Sequence, residues 1–447
     1  MVANSVSQVL KAGLAALAIA SPPAAAASCH FNLYEHLGNL SPYFQPSNTP
    51  SSLSGGVPPG CSVSRAFLVH RHGSRNPLSD EIGAIRNLAY YIGNESALFS
   101  SPQAPVPVGF AFLQEEGEGS GKGWNNTFTT NDLTAIGRKQ LRDHGAALRR
   151  RYPQLSASRV LVGDQERVVA SARSFMESYF ANSTAAELDL IAEDNKTVSW
   201  ITPMDTCAAW QYSLGGALVA EWGNVYLPPV ADRLNQLLAK PYPGVNFTAA
   251  HCHGMMWACA YGTAVHGKNS SPWCDVFQPA EILAFEYELD LLMRGAFGYG
   301  LPGDMGPVLG GMLVGNVTEF LLNDAGSETL SLNFGHDTTI DLGLAALNLA
   351  ADNTYPAKGP VDARRQWRTA RHVPFAAQML FHNLDCNGGE ERIQLLLNEA
   401  NFDLAPSGCE SDEYGTCKVS DFMASATVKA ALAVRHDDAR WQAVCST

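Results

Sequence analysis

Ala66-Phe67-Leu68-Val69-His70-Arg71-His72-Gly73-Ser74-Arg75-Asn76-Pro77 begins as a short apolar run and ends in a cluster of basic residues and glycine. The run is of the buried-strand type, and the cluster marks where that strand stops. The arrangement recurs along the chain. Residues 159–162 read as a strand, 163–167 as a turn and 168–180 as a helix. Residues 330–334 read as another strand, followed by a helix over 338–349 with Asp337 at its head. Further helices are expected after Pro77 and over 132–152, and strands over 375–381 and 392–398 read as an antiparallel pair. Repetition of strand, turn and helix gives an α/β fold with a mostly parallel central sheet flanked by helices. Residues 182–321 interrupt it with helical stretches near 208–222, 230–239 and 279–297, and are expected to form a mainly helical inserted lobe. The α/β domain is then 28–181 together with 322–447, entered through an extended, Pro/Ser/Gly-rich arm over 28–60.

In sheets of this kind, ligands bind beyond the carboxyl ends of the strands. Three predicted strand ends deliver groups suited to phosphate: Arg71-His72-x-x-Arg75, Arg167 and His336-Asp337. Phosphoryl transfer is mainly a matter of holding three equatorial oxygens and stabilising their charge. Arginine does this with paired donors on a guanidinium that never loses its charge at working pH. An imidazole between two such cations has a lowered pKa, which keeps a ring nitrogen available for attack in acid. Gly73 would admit a close approach to substrate, and Pro77 suits the first turn of a helix. Asp337 is placed to cap the helix that follows it.

The whole chain narrows the setting. It has 447 residues, enough for a large domain and a second lobe, with 46% hydrophobic and 16% charged residues. A net charge of −13 argues against nucleic acid as a partner, because backbone binding needs a basic face. Residues 1–27 read as a signal peptide: an apolar core over 12–20, a Ser21-Pro22-Pro23 break and Ala25-Ala26-Ala27 as the cleavage site. That core is too short to span a bilayer, and no later run of ~18 apolar residues provides an anchor. Ten cysteines without paired Cys-x-x-Cys spacing, and sequons at Asn39, Asn94, Asn125, Asn182, Asn195, Asn246, Asn269 and Asn316, agree with a secreted, disulfide-bonded glycoprotein.

Here the motifs become recognisable. Arg71-His72-Gly73-Ser74-Arg75-Asn76-Pro77 resembles the Arg-His-Gly-x-Arg-x-Pro signature of the histidine acid phosphatases. Gly335-His336-Asp337 resembles that family's distal pair, and Arg167 its third phosphate-binding arginine. From about Gly55 to Cys445 the chain is similar to the secreted fungal branch, which contains phytases and broad-specificity acid phosphatases. The likeness extends to Ser271-Pro272-Trp273-Cys274-Asp275-Val276-Phe277, Phe297-Gly298-Tyr299-Gly300 and Gly306-Pro307. The resemblance implies a hydrolase of small-molecule phosphate monoesters that uses no cofactor and no metal. His72 would form a phosphohistidine, Arg71, Arg75, Arg167 and His336 would hold the phosphate, and Asp337 would protonate the leaving oxygen before water hydrolyses the phosphoenzyme. Cysteine spacing alone leaves the pairing open. The resemblance implies Cys61–Cys386, Cys207–Cys445, Cys259–Cys274 and Cys409–Cys417, which leaves Cys29 and Cys252 for each other.

Other readings are weaker. Gly117-Glu118-Gly119-Ser120-Gly121-Lys122-Gly123 lacks the Gly-to-Lys spacing and the hydroxyl residue of a phosphate-binding loop. His251-Cys252-His253 has no further ligand at metal spacing, and neither a Gly-x-Ser-x-Gly elbow nor a His-Glu-x-x-His helix occurs. A substrate as charged as inositol hexakisphosphate calls for extra Lys and Arg in the pocket. This chain instead has Leu78-Ser79-Asp80-Glu81 after the heptad, a single Arg294 where strongly phytate-directed relatives resemble a lysine pair, and Glu286 as an acidic wall. Broad specificity, with phytate one substrate among several, is the resulting expectation. A specialised phytase and a phosphoglycerate-mutase-like transferase are the alternatives, and export argues against the transferase. A binding protein without activity would be expected to have lost His72 or Asp337.

Overall fold

The computed structural model describes residues 31–447 apart from 115, 118–120, 123, 125, 181–185, 195–197, 324–326, 353 and 447. The signal segment, Cys29 and the sequons at Asn125, Asn182 and Asn195 lie outside the described residues.

Seven strands of one eight-stranded sheet carry the argument: β1 (Cys61–Arg71), β2 (Arg159–Gly163), β3 (Glu187–Ile191), β4 (Leu330–Gly335), β5 (Gln378–Cys386), β6 (Glu390–Leu397) and β7 (Cys417–Lys418). Their order is β7-β6-β5-β1-β4-β2-β3. The strands β1, β4, β2 and β3 run parallel, and β5, β6 and β7 extend the sheet as antiparallel neighbours. The fold is α/β with a mostly parallel central sheet. The antiparallel pair read over 375–381 and 392–398 is β5–β6, whose first strand starts at Gln378. Alternate residues of β1 serve different layers: Ala66 and Leu68 pack with Leu141 and Phe175, whereas Phe67 and Val69 pack with Leu313 and Ile340. An uninterrupted apolar run is what a strand covered on both faces requires.

The helices that matter here are α1 (Ile82–Asn94), α2 (Ala135–Arg151), α3 (Glu166–Tyr179), α4 (Ser213–Leu238), α5 (Ala249–His266), α6 (Pro279–Phe297), α7 (Met305–Leu322) and α8 (Asp337–Ala346). Helix α2 starts at Ala135 rather than at Asp132, because the Thr134 hydroxyl accepts from the Gly137 N–H at 3.0 Å and caps it there. The stretches read separately near 208–222 and 230–239 belong to one helix, α4, which continues through Pro228 and Pro229. A proline inside a helix costs about 3 kcal/mol; burial of Trp222, Tyr226, Leu234 and Leu238 along one face offsets it. Helices α5 and α7 escaped sequence analysis for the same reason. Twelve of the 18 residues of α5 are buried, so no polar stripe reveals a helical period. Helix α7 alone among the described helices is long and apolar enough to cross a bilayer by length and composition, and its Leu313, Val314, Val317 and Leu321 are buried in the sheet-side core.

The arm before β1 is not simply extended; it contains short 3₁₀ turns at Leu33–Glu35 and Gly38–Leu40, the second fully buried. Disulfides join Cys61–Cys386, Cys207–Cys445, Cys259–Cys274 and Cys409–Cys417, the four pairs the resemblance implies. In the β1–β5 ladder Cys61 stands directly opposite Cys386, so that bond staples the register. Cys252, expected to join Cys29, is a free thiol among the described residues, fully buried in the apolar cluster of α4, α5 and α6. The sequon residues Asn94, Asn246 and Asn269 are exposed, whereas Asn316 is half-buried within α7 and its amide donates to the Met312 carbonyl at 2.8 Å.

Several core histidines are held neutral. Burial pushes His144 and His382 down to about 4 and, with help from Arg371 and Arg368, His372 to about 3; His70 is also driven well below its usual value. The unfolded chain protonates these rings near pH 6.5. Between about pH 6.5 and 4.5 the unfolded state therefore binds more protons, and each such histidine removes up to about 1.4 kcal/mol of stability per unit of falling pH. His72 and His251 are lowered as well, whereas His253, raised because Glu288 outweighs its burial, works in the opposite sense. The thermal midpoint is expected to drop by several degrees from pH 7 to pH 4.5 in calorimetry, and a flat or rising midpoint would contradict this account.

Candidate active site

The four parallel strands end at one edge, and each sends a side chain into the same cleft. Past the end of β1, the His72 N–H donates to the Gly335 carbonyl at 3.1 Å, carrying the β1–β4 ladder one step beyond the strands. That bond sets His72 beside His336 and Asp337, with the two imidazoles 5.7 Å apart in a T-shaped arrangement. Arg167 enters from the first turn of α3, which starts at Glu166 and not after a turn reaching to 167, and β3 is followed by Glu193. The backbone of the heptad is held from behind: Gly73 N–H donates to Ser171 Oγ at 3.1 Å and Ser74 N–H to Gln140 Oε1 at 2.9 Å.

Gly73 meets a packing demand that the sequence does not show. A Cβ there would lie 2.6 Å from the Gly137 carbonyl, and one on Gly137 would lie 2.3 Å from the Ser74 carbonyl. The two glycines let α2 touch the heptad directly. No helix begins at Pro77. Glu81 accepts from Leu78 N–H at 2.6 Å and ties the chain into a turn, so that α1 starts at Ile82.

His72 is 2% exposed, and its Nδ1 lies 2.9 Å from the Gly73 carbonyl, so Nδ1 carries the proton and Nε2 keeps its lone pair. Burial first, and then Arg167, Arg71, Arg75 and His336, hold this imidazole well below its usual pKa. It stays neutral and nucleophilic in acid. Around it the Nε atoms of Arg71, Arg75 and Arg167 are all buried without a hydrogen-bond acceptor. Three unmatched cationic donors in one place form a receptor for an oxyanion. Arg71 is locked by carbonyls of Asn39 and Val373, both at 2.5 Å, and by the Phe375 ring 4.6 Å beneath it. Arg75 donates to Glu81 at 2.8 Å and to Tyr261 Oη at 2.9 Å. Arg167 is lowered to about 10 by burial and then by Arg75.

Asp337 heads α8, and its Oδ2 lies 2.8 Å from Arg71 and accepts from Asn39 Nδ2 at 2.9 Å. Burial raises its pKa, but Arg71 foremost, with Asn39 and His336, outweighs this and holds the carboxyl below its ordinary range. His336 is oriented by Glu193, whose oxygens lie 3.0 and 3.1 Å from its Nε2. A carboxylate on Nε2 favours the tautomer that carries its proton there.

Two residues of the site were missed from sequence. Glu193 follows a strand, Glu187-Leu188-Asp189-Leu190-Ile191, whose alternation was the available signal. Asn39 had no such signal: it lies in the arm and reads as a sequon. The structure buries it to 7% exposure with its amide on Asp337, which removes it as a glycan acceptor. Two expectations about the pocket wall are corrected. Glu286 is fully buried beneath the site, paired with Arg368 at 2.9 Å, Arg365 at 3.3 Å and His36 at 3.1 Å, and does not line the cleft. Arg294 donates to the Asp352 carbonyl and stacks on Tyr355 instead. The histidines of His251-Cys252-His253 are also in use, His251 stacked on Tyr91 and His253 bound to Glu288 at 2.7 Å.

This geometry has relatives. The chain is 28% identical to Phytase A of Arthroderma benhamiae over 462 residues, covering 94% of this chain and 95% of that protein. It is likewise 28% identical to the thiamine-repressible acid phosphatase pho4 of Schizosaccharomyces pombe over 422 residues, covering 88% of each. The fold matches the crystal structure of the phytase from D. castellii with a TM-score of 0.77 at 22% identity, covering 93% of this chain and 88% of that one. The family model of the histidine phosphatase superfamily (branch 2) matches residues 63–398, a span that runs from β1 through the distal pair to the end of β6. The chain belongs to that superfamily.

Proposed function

We propose that this protein is an exported acid phosphatase that hydrolyses phosphate monoesters through a phosphohistidine on His72, with a broad substrate range in which phytate is one member. The observation that carries this reading is the His72 imidazole, its Nδ1 proton pinned to Gly73 and its Nε2 left among three arginines with unmatched buried donors. Arg71, Arg75, Arg167 and His336 hold the phosphate while Nε2 attacks phosphorus. The ester P–O bond breaks, and the departing oxygen takes a proton from Asp337. The resulting Asp337 carboxylate then draws a proton from water as that water attacks phosphorus; the P–N bond breaks, and phosphate and neutral His72 are released. The charge is met by guanidinium groups already in place, which is the most effective form of such stabilisation. Four disulfides and three exposed sequons support an oxidising, exported setting.

The test is phosphate release from p-nitrophenyl phosphate, glycerol phosphate and phytate across acidic to neutral pH, with and without EDTA. Turnover of all three in acid, falling towards neutrality and indifferent to chelation, is expected. An inert protein, or one revived only by an added divalent metal, would sink the reading.

A further inference from the structure

The cleft around His72 has two unlike sides. Apart from the catalytic set, the charged groups lining it are Glu81, Glu193 and Asp205; no lysine lines it among the described residues. Glu81 already occupies Arg75, and Glu193 occupies His336. Asp205 is half-buried and adds a third carboxyl to this side. A substrate bearing several phosphates would therefore place its outer charges against carboxylates. Each such like-charge contact works against binding.

The other side is apolar and aromatic. Met204, Trp210, Tyr212, Met293 and Phe297 line it. The rings of Trp210 and Tyr212 lie 5.6 and 6.1 Å from that of Phe297 and form one continuous surface. Trp210 is fixed in place, its indole N–H donating to the Ala296 carbonyl at 2.8 Å. The segment carrying Trp210 and Tyr212 is pinned as well, by the Cys207–Cys445 disulfide and by Ala209 N–H on the Cys445 carbonyl at 3.1 Å. Phe297 is only 5% exposed, while Tyr212 is 45% exposed at the mouth. The wall also adjoins the proton donor. The Asn39 amide that holds Asp337 at 2.9 Å lies 3.6 Å from Met293 Sδ. Met293, Asp337 and the aromatic residues thus line one cleft.

We propose that the Met204–Trp210–Tyr212–Phe297 wall is a leaving-group subsite for aromatic or other apolar alcohols, so that the cleft selects monoesters carrying one phosphate and an apolar body over polyphosphorylated sugars and inositols. This rests on the phosphatase reading above. A preformed apolar surface gains affinity from each ring face it removes from water, and polar or charged substituents gain nothing there.

The measurement is kcat/KM of the full-length protein for 2-phenylethyl phosphate and ethyl phosphate, whose leaving groups are of closely similar basicity, beside phytate, all at one acidic pH. The phenylethyl ester is expected to be favoured by about tenfold or more over ethyl phosphate, the scale set by burying one ring face, and to exceed phytate. In Tyr212→Ala, at an exposed position that tolerates truncation, the ratio of the two simple esters should fall to within about threefold of one, with the change carried by KM. Turnover of both esters with a wild-type ratio near one, or with phytate the better substrate, overturns the subsite and leaves the phosphatase reading standing. A ratio that survives in both Tyr212→Ala and Trp210→Ala also overturns it. No turnover of any ester would overturn the phosphatase reading, and the subsite with it.

Discussion

His72→Ala should lose turnover of every phosphate monoester by about 10⁴-fold or more, with the fold retained. The ring makes one hydrogen bond, to the neighbouring Gly73 carbonyl, and sits where three guanidinium groups crowd it. Its removal therefore breaks a single hydrogen bond and, because the ring is neutral, takes no charge out of the site. Far-UV circular dichroism and a thermal midpoint within a few degrees of wild type would establish that the variant folds. The decisive observation is covalent: wild type quenched during turnover of labelled substrate should carry acid-labile phosphate, and the variant none. A folded His72→Ala protein with near-normal kcat would remove the phosphohistidine from the mechanism.

Asp337→Asn is expected to slow phosphorylation in proportion to the basicity of the leaving group. Esters of sugars, glycerol or inositol leave as alkoxides and should lose about 10²–10⁴-fold in single-turnover rate, the usual worth of a positioned acid. p-Nitrophenyl phosphate, whose phenolate departs unaided, should lose far less. Equal losses would reassign Asp337 to anchoring Arg71 at the head of α8, where the cap is His336 rather than Asp337 as the sequence suggested. The geometry adds a pH dependence. In the free protein Arg71 and Asn39 keep the Asp337 carboxyl below its ordinary range. A phosphate dianion in contact with the same arginines offsets their charge and raises that pKa. Activity falls as pH rises through the pKa of the acid, so the alkaline limb of kcat should lie at higher pH than that of kcat/KM, because kcat/KM reports the free protein. One turn along α8, Asp341 is fully buried with neither oxygen hydrogen-bonded, and burial and then Asp337 drive its pKa far upward. It is neutral and adds no competing charge.

The residues to which the proposed chemistry is assigned were legible because they are local. A buried strand ending in Arg71-His72-Gly73-Ser74-Arg75 and another ending in His336-Asp337 need only the strand period and the rule about strand ends to be found, and they also determined the α/β class. What supports those residues was not local. Glu193 meets His336 across 143 positions, and Asn39 meets Asp337 across 298. Neither stands in a catalytic motif, because each works through contacts that only the folded chain makes. The same holds for the wall. Glu286 and Arg294 read from sequence as pocket residues, yet their places on α6 turn them into a buried ion-pair cluster and onto Tyr355, while Met293 and Phe297 of the same helix face the cleft. Helices α5 and α7 stayed hidden because burial on all sides erases the amphipathic period. The sequence by itself determined the parallel sheet and pointed to the proposed nucleophile and the proposed acid that it presents. Which side chains face the substrate was decided only by tertiary packing, since the rotation of a helix about its axis depends on everything packed against it.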